Sequence, residues 1–351
     1  MKKTIGLMVL IVLLMAAMML LTACGGSKDT PAPDPGTKEE AKKFEIRIAH
    51  ESQVAHPSHV ALEEVFKKIV EEETDGRITV TIFPGSQMGN AQANLELVRR
   101  GDIEMTLNAT QHYVQNIPEF AVWESFFLFD NLDHAHSVLD GKAGQELMKP
   151  LEKMGLVGLG YMEIGFRNFS NSKGPLYSVD DFKGLKIRGY NPLMMKAWNS
   201  VGVQTTSLTW AEVFTALQQG LIDGQECATV SFQNAKFYEP NPYWTLTGHV
   251  YTNFLWKANK KFMDGLSAAD RELVERAARE AIKAERQMLQ DQEEEILKEL
   301  ASLGVTINEL PVEEKRKLGE IMNVAIAEDI IALCGQEVYD FVMAEVAAAR
   351  K

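Results

Sequence analysis

Phe44-Glu-Ile-Arg-Ile-Ala49 alternates apolar and polar residues, and Arg77-Ile-Thr-Val-Thr-Ile82 repeats the pattern. Period-two alternation marks a half-buried strand. Between these stretches Leu62, Val65, Phe66, Ile69 and Val70 fall at helical spacing, so residues 58–73 are expected to form an amphipathic helix. Asp75-Gly76 turns the chain between helix and second strand. Pro84-Gly85 and Gly89 then mark a loop, a short helix with Leu95 and Val98 ends at Gly101, and Ile103 to Asn108 reads as a third strand. The order βαβαβ is that of a mostly parallel sheet with helices packed on it. Ligands of such sheets sit outside the carboxyl ends of the strands.

The same logic restarts downstream. Gly184-Leu-Lys-Ile-Arg188 reads as a short strand, Leu193 to Val201 as a helix, and Trp210 to Gln219 as a helix with Val213, Phe214 and Leu217 on one face. Gly220 stops that helix, and Leu221-Ile222 is expected to enter a strand. Two α/β units in series predict two lobes. Ser267-Ala-Ala-Asp270 has the spacing of a capping box. The helix it opens carries Leu273, Val274, Ala277, Ala278, Ala281 and Ile282 on one face, runs to about Leu303 and breaks at Gly304. Gly304 to Ile307 reads as a strand, and a last helical region follows Pro311.

The amino terminus has a different character. Lys2 and Lys3 precede an apolar run from Ile5 to Leu21, and Leu21-Thr-Ala-Cys24 closes it. This is the layout of a secretory signal ending in a lipobox, so residues 1–23 are expected to be a lipoprotein signal peptide, with Cys24 lipidated after cleavage. The alternative is an uncleaved membrane anchor, because the run is at the lower edge of spanning length. Residues 24–43 hold Pro31, Pro33, Pro35 and several glycines without an apolar run, which is the composition of a flexible tether. Either way the globular part is expected to work outside the cytoplasm at a membrane surface.

The remaining chain, from residue 44 to 351, is large enough for two ordinary domains. Net charge is −13, from 36 basic and 49 acidic residues, and loss of Lys2 and Lys3 makes it −15. Such a surface argues against nucleic-acid partners and against electrostatic binding to anionic lipid. An anionic ligand would need local positive groups. Beyond Cys24 the only cysteines are Cys227 and Cys334, too few for a disulfide framework.

Gly165-Phe-Arg-Asn-Phe169, Gly184-Leu-Lys-Ile-Arg188 and Trp210-Ala-Glu-Val-Phe-Thr-Ala-Leu-Gln-Gln-Gly-Leu-Ile-Asp-Gly-Gln-Glu226 together closely resemble one family. They are similar to the solute-binding proteins of tripartite ATP-independent periplasmic (TRAP) transporters of the dicarboxylate-binding, DctP type. Phe83-Pro-Gly-Ser-Gln-Met-Gly89, Val122 to Phe129 before His134-Ala135, and the long helix before Gly304-Val305 extend the resemblance over nearly the whole folded part. It implies an α/β, two-lobe, periplasmic binding protein-like fold (type II-like), with hinge strands near 165 and 252, a central ligand cleft and a long helix in the carboxyl-terminal half. Lobe I would be residues 44–164 plus 253–292, and lobe II 165–252 plus 293–351. The implied activity is capture of a small organic acid anion and its delivery to a sodium-coupled permease of small and large membrane subunits. No cofactor or metal is implied, and a monomer is the simplest reading.

The resemblance also implies site residues. Arg188 matches the position whose guanidinium grips a substrate carboxylate, a role suited to the permanent charge and planar fork of arginine. Its alternatives are a surface arginine or an interlobe ion pair. Arg167 matches a common second contact, or it pairs structurally with a nearby acid. Trp210 matches an aromatic that covers the ligand and otherwise reads as a core residue. Asn108, Ala109 and Glu51 match strand-end positions that vary with substrate; the competing reading for each is a solvated loop. Cys227 departs from the usual Asn after Asp-Gly-Gln-Glu, replacing an amide by a weaker donor. It could instead be a reactive thiol, although nothing basic adjoins it in sequence. Gly189-Tyr190 replaces the usual Val-Pro, and Tyr190, Tyr243 and Trp244 either add aromatic surface to the cleft or serve packing.

Other chemistries find little support. His56-Pro-Ser-His59 and His134-Ala-His136 lack a zinc-site pattern, and no phosphate loop or Gly-x-Ser-x-Gly elbow occurs. An exported hydrolase would turn its ligand over rather than retain it. A sensory binding protein feeding a membrane kinase is the third reading, separated by whether permease genes lie alongside.

Overall fold

The computed structural model describes residues 42–350. The expectations for the signal peptide, Cys24 and all but the last two tether residues lie outside the described residues. The strands are β1 (Phe44–His50), β2 (Ile78–Phe83), β3 (Met105–Ala109), β4 (Leu156–Asn171), β5 (Lys186–Gly189), β6 (Gln204–Ser207), β7 (Gly224–Ala228), β8 (Tyr243–Leu246), β9 (Tyr251–Asn259) and β10 (Thr306–Glu309). They pair in the order β2-β1-β3-β9-β4-β7-β5-β6, with β8 beside β4 and β10 beside β8.

The α/β reading holds, with one refinement. β1 pairs in parallel with β2 and β3, and β5 pairs in parallel with β6 and β7. These two parallel halves are the sheets of the two lobes. They are joined by β4 and β9, which run antiparallel to each other from Leu156↔Asn259 to Phe166↔Tyr251. At Arg167 the long β4 changes partner, pairing with β7 from Arg167↔Ala228 to Asn171↔Gly224. A register shift between Glu163 and Gly165 lies just before that change, with Gly165 at φ +101°. That backbone conformation suits only glycine.

The long helix runs unbroken from Ala268 to Ser302. Ser267 caps it by accepting the Asp270 N–H at 3.1 Å. The Asp270 carboxylate turns instead to Arg77, at 2.5 and 3.1 Å. Val274, Ala277, Ala278, Ala281 and Ile282 pack with Leu62, Phe66 and Trp256 on the first half of the sheet. Farther along, Leu289, Ile296 and Leu300 join Val213, Leu217, Phe232 and Trp244 on the second. One helix therefore contributes to both cores. Gly160 adopts φ +140°, which favours glycine, and a Cβ there would stand 2.7 Å from the Ile282 Cδ1, the mobile end of that side chain.

Most other expected elements form where alternation and helical spacing placed them. The first helical stretch is Pro57–Ala61, Leu62–Lys67 and Lys68–Glu73, with π-type bonding in the middle segment. Ala91–Arg100 is capped by Asn90 and ended by Gly101 at φ +78°. Pro192–Ser200 is capped by Asn191. Trp210–Glu212 is a 3-10 turn leading into the helix Val213–Gln218. The strand expected at Leu221-Ile222 starts later, at Gly224, and Leu221 remains exposed. The region after Pro311 is two helices, Val312–Cys334 and Gln336–Ala349, separated at Gly335.

Candidate functional site

Two parallel strand pairs, β1 with β3 and β5 with β7, run towards each other and end at one place. β1 leads into Glu51, β3 into Asn108, Ala109 and the 3-10 turn Thr110–Tyr113, β5 into Arg188, and β7 into Glu226 and Cys227. The crossover strand β4 adds Arg167, and the turn Trp210–Glu212 adds Trp210. This is the strand-end crevice expected of an α/β sheet. A cavity of about 390 Å³ opens there, lined among others by Arg188, Tyr190, Asn191, Gln92, Ser207 and Thr209. A recess of about 50 Å³ adjoins it, with Arg167, Cys227, Ala109, His56, Ile164 and Phe254 on its wall. Glu51, Gln111, His112 and Trp210 line both spaces and divide them. The larger volume suits a small metabolite.

The two arginines differ in what holds them. Arg188 is 2 % exposed. Its Nε donates to the Leu208 carbonyl at 3.0 Å, and its Nη2 is buried without a partner. Its guanidinium carbon lies 5.5 Å from the Tyr190 ring centre and 5.4 Å from that of Trp210. Burial, then the neighbouring Arg167, push its pKa down to about 10, so it stays charged at neutral pH. The aromatic faces stabilise a cation that has left water. No group among the described residues hydrogen-bonds that Nη2.

Arg167 is committed chiefly to Glu226. Its Nε donates to the Glu226 carboxylate and its Nη2 to the Glu226 carbonyl. The same carboxylate oxygen meets His249 Nε2 at 3.2 Å. Burial works against the charge on Arg167, yet Glu226 raises its pKa above the ordinary arginine value. Burial likewise opposes ionisation of Glu226, but Arg167 and His249 hold its pKa below the usual range. The remaining Nη1 faces Gln111 Oε1 and Thr252 Oγ1, both at 3.4 Å. Arg167 thus makes the structural pair and lines the recess as well.

The other expected residues fall in distinct places. Trp210 stands in the wall between the two spaces and packs on Phe237, with ring centres 5.1 Å apart. Cys227 is buried against the recess, and burial pushes its thiol up to about 12, so it is a neutral thiol rather than a nucleophile. Ala109 lines the recess. The Asn108 side chain points into lobe I, where it accepts from Thr106 Oγ1 at 2.6 Å and Tyr113 Oη at 3.0 Å and reaches Glu51 at 3.5 Å. It supports Glu51, which lines both spaces. Of the three aromatics, Tyr190 lines the larger cavity, its ring 5.0 Å from the Arg167 guanidinium carbon. Trp244 is a core residue stacked on Phe232 at 4.1 Å, and Tyr243 lines neither space.

No group of three or more metal-ligating side chains occurs among the described residues. The histidines are engaged otherwise: His134 with the Val346 carbonyl at 2.8 Å, His136 with Glu163 at 2.7 Å, and His50 with His59 at 3.1 Å.

Residues 48–331 match the family described as bacterial extracellular solute-binding protein, family 7 (DctP). The chain belongs to that family. Among its relatives is the 2,3-diketo-L-gulonate-binding periplasmic protein YiaO of Escherichia coli, 34% identical over 75% of this chain and 80% of the relative. The sugar acid binding protein of Advenella mimigardefordensis, solved in complex with galactonate, is 33% identical with a TM-score of 0.84, covering 88% of this chain and 99% of that one. A TRAP periplasmic solute-binding protein of Haemophilus influenzae, solved with bound L-gulonate, is 28% identical with a TM-score of 0.82, covering 88% and 100%. The protein described here is therefore an extracytoplasmic solute-binding protein of the TRAP type with the two-lobe fold. Its family is one of transport components rather than enzymes.

Several site residues escaped the sequence reading. Glu226 lies inside the family motif, and an acid in a buried strand beside two arginines signals a counter-ion. Gln111 and His112 follow a strand end and were within reach of the same argument as Asn108. Glu124, which accepts from Tyr190 Oη at 3.3 Å, carries no such signal because it comes from a distant 3-10 segment, Pro118–Glu124.

Proposed function

We propose that this solute-binding protein captures a small organic acid anion between its lobes and delivers it to a sodium-coupled TRAP permease of small and large membrane subunits. The observation that carries the ligand class is the free Nη2 of Arg188, a buried charged donor that lacks a partner and lies at the wall of a 390 Å³ cavity. A buried charge is retained at such cost where a counter-ion arrives. The acid's carboxylate meets the open side of the Arg188 fork, with Tyr190 and Trp210 flanking it. Gln92, Gln111, Ser207 and Thr209 supply hydrogen-bonding groups for the rest of the molecule. That polar lining favours a hydroxylated acid, the kind of ligand that the galactonate- and L-gulonate-bound relatives carry.

Lobe I comprises residues 44–164 plus 253–292 and lobe II residues 165–252 plus 293–351, with β4 and β9 as the hinge. Closure of the cleft brings Glu51 and Gln111 of lobe I onto a ligand held by Arg188 of lobe II, so ligand shifts the population towards the closed form. Cys24 tethers the monomer to the membrane through its lipid.

A thermal-shift panel of organic acids and their amides tests the reading. A ligand specific to the native state stabilises it by RT ln(1 + [L]/Kd) and so raises the melting point. Shifts with carboxylates and none with the matching amides are expected. Shifts with neutral sugars alone would refute the carboxylate assignment.

A further inference from the structure

Glu51 is the one carboxyl group lining both the cavity and its recess. It is 8 % exposed and forms no ion pair among the described residues. Its hydrogen-bond donors are neutral: the Asn108 amide at 3.5 Å and the Ala91 backbone N–H, which belongs to the first residue of the helix Ala91–Arg100. Of the other buried carboxylates nearby, Glu226 is held by Arg167 and His249, while Glu124 also has neutral donors, Tyr190 and Asn191, and burial lifts it to about 7 as well, but it lines neither space.

Charged and titratable groups face Glu51 from every side. Arg188 looks across the cleft from β5. Lys257, on β9 and fully buried, lies behind it with its Nζ 4.0 Å from the Tyr113 ring centre and outside both cavity walls, and burial pushes its pKa well below the ordinary lysine value. Tyr113 and His112 come from the 3-10 turn, His56 from the start of the first helix, and Arg167 from β4. Arg188 and, more weakly, Lys257 favour the ionised carboxylate. Burial outweighs them and lifts the Glu51 pKa to about 7. In the empty protein Glu51 is therefore mostly ionised opposite Arg188 at pH 8 and mostly neutral at pH 6.

An acid anion entering this space supplies the negative charge opposite Arg188. It also brings a second carboxylate into a small cavity that already holds one. Two carboxylates sharing a buried site cannot both stay ionised, and the less well paired one takes a proton. The ligand's carboxylate has the guanidinium; Glu51 has only neutral donors.

We propose that the protein takes up its acid together with a proton, which moves from solvent buffer to the Glu51 carboxylate as the anion meets Arg188. This rests on the organic-acid reading above. Charge balances, because the anion adds one negative charge and the proton one positive. The neutral carboxyl can then donate its O–H to a ligand oxygen, which a carboxylate cannot do.

The test is calorimetric titration of the mature protein with galactonate in HEPES and in Tris, whose ionisation enthalpies differ. The dependence of the observed heat on buffer counts protons. With a pKa of about 7 in the empty protein, uptake should be about 0.9 proton at pH 8 and about 0.1 at pH 6. The Kd should rise about tenfold from pH 7.5 to 8.5 and level off below pH 6. Glu51→Gln should lower the count at pH 8 to below about 0.2 and remove the pH dependence of Kd, whatever its absolute affinity. Should that variant bind too weakly for calorimetry, Glu124→Gln decides: uptake persisting supports Glu51 as the acceptor, and uptake lost overturns it. Identical heats in the two buffers at pH 8 would overturn proton uptake while leaving acid binding intact. Absence of heat in both buffers would count against the acid reading itself and take the proposal with it.

Discussion

Removing the Arg188 guanidinium acts on stability and on binding by separate routes. In the empty protein its Nη2 has no partner, and its pKa falls from 12.5 to about 10 chiefly through burial. At about 1.4 kcal/mol per pH unit, that depression amounts to roughly 3 kcal/mol against the charged form. Arg188→Ala relieves this cost. It also forfeits the contacts over Tyr190 and Trp210, worth about 0.5–2 kcal/mol each, and the bond to the Leu208 carbonyl, worth about 1.5–3 kcal/mol. The losses sum to about 2.5–7 kcal/mol against a relief of roughly 3, so the unliganded protein should lose between about 0 and 4 kcal/mol of stability, read as a lower melting point. The loss of binding is separate and read at fixed temperature. Truncating one partner of a buried charged pair costs about 2–5 kcal/mol, a loss of roughly 30-fold to several thousand-fold in affinity. Arg188→Lys keeps the charge but loses the planar fork and should also bind poorly. Paired melting curves with and without ligand, followed by titration calorimetry, read both effects. Near-parental affinity in either variant would refute the role of Arg188 and the argument from its free donor.

Other consequences follow from neighbouring groups. Glu226→Gln leaves Arg167 and His249 without their shared carboxylate and should lower stability by about 3–5 kcal/mol, seen as a shifted midpoint in urea unfolding. Acid should unfold the protein steeply. Burial holds His50, His56 and His112 down to about 3, 4 and 3. The unfolded chain binds protons at these residues below about pH 6.5 and the folded one does not, so stability falls from that pH towards 4, by up to about 1.4 kcal/mol per pH unit for each histidine. Unfolding midpoints at pH 7.5, 6 and 5 check this, and a flat profile would refute it. Gly165→Ala puts a side chain at φ +101°, where the added Cβ would meet only ordinary contacts at 3.7 Å. The strain of about 1–3 kcal/mol should appear in the melting point and in the rate of ligand-induced closure measured by stopped flow; unchanged values for both would remove Gly165 from the hinge.

What a residue does locally could be read from its neighbours in the chain. The strands at Phe44–Ala49 and Ile78–Ile82, the helix from Leu62 to Val70 and the cap at Ser267 rest on periodicity and capping chemistry, which act within a few residues. Arg188 was also within reach, since a motif at a strand end places its side chain at the crevice of an α/β sheet. β4 was not visible as one strand by alternation. Its Gly158, Gly160 and Gly165 interrupt the pattern, and its two halves answer to different partner strands. The motif resemblance implied a hinge there.

The sequence alone determined the α/β class, the order of elements and the type of residue available to hold an anion, because these depend on local pattern and chemistry. Only the tertiary structure decided which donors stay free. Arg167 and Arg188 look alike in the chain, yet one is bound to Glu226, 59 residues away, and the other is left open. Asn108 and Glu51 end neighbouring strands, but hydrogen bonds from Thr106 and Tyr113 turn Asn108 inward and leave Glu51 at the cavity. Pairing and burial are properties of groups brought together from distant segments, and they set each side chain's charge state and reach.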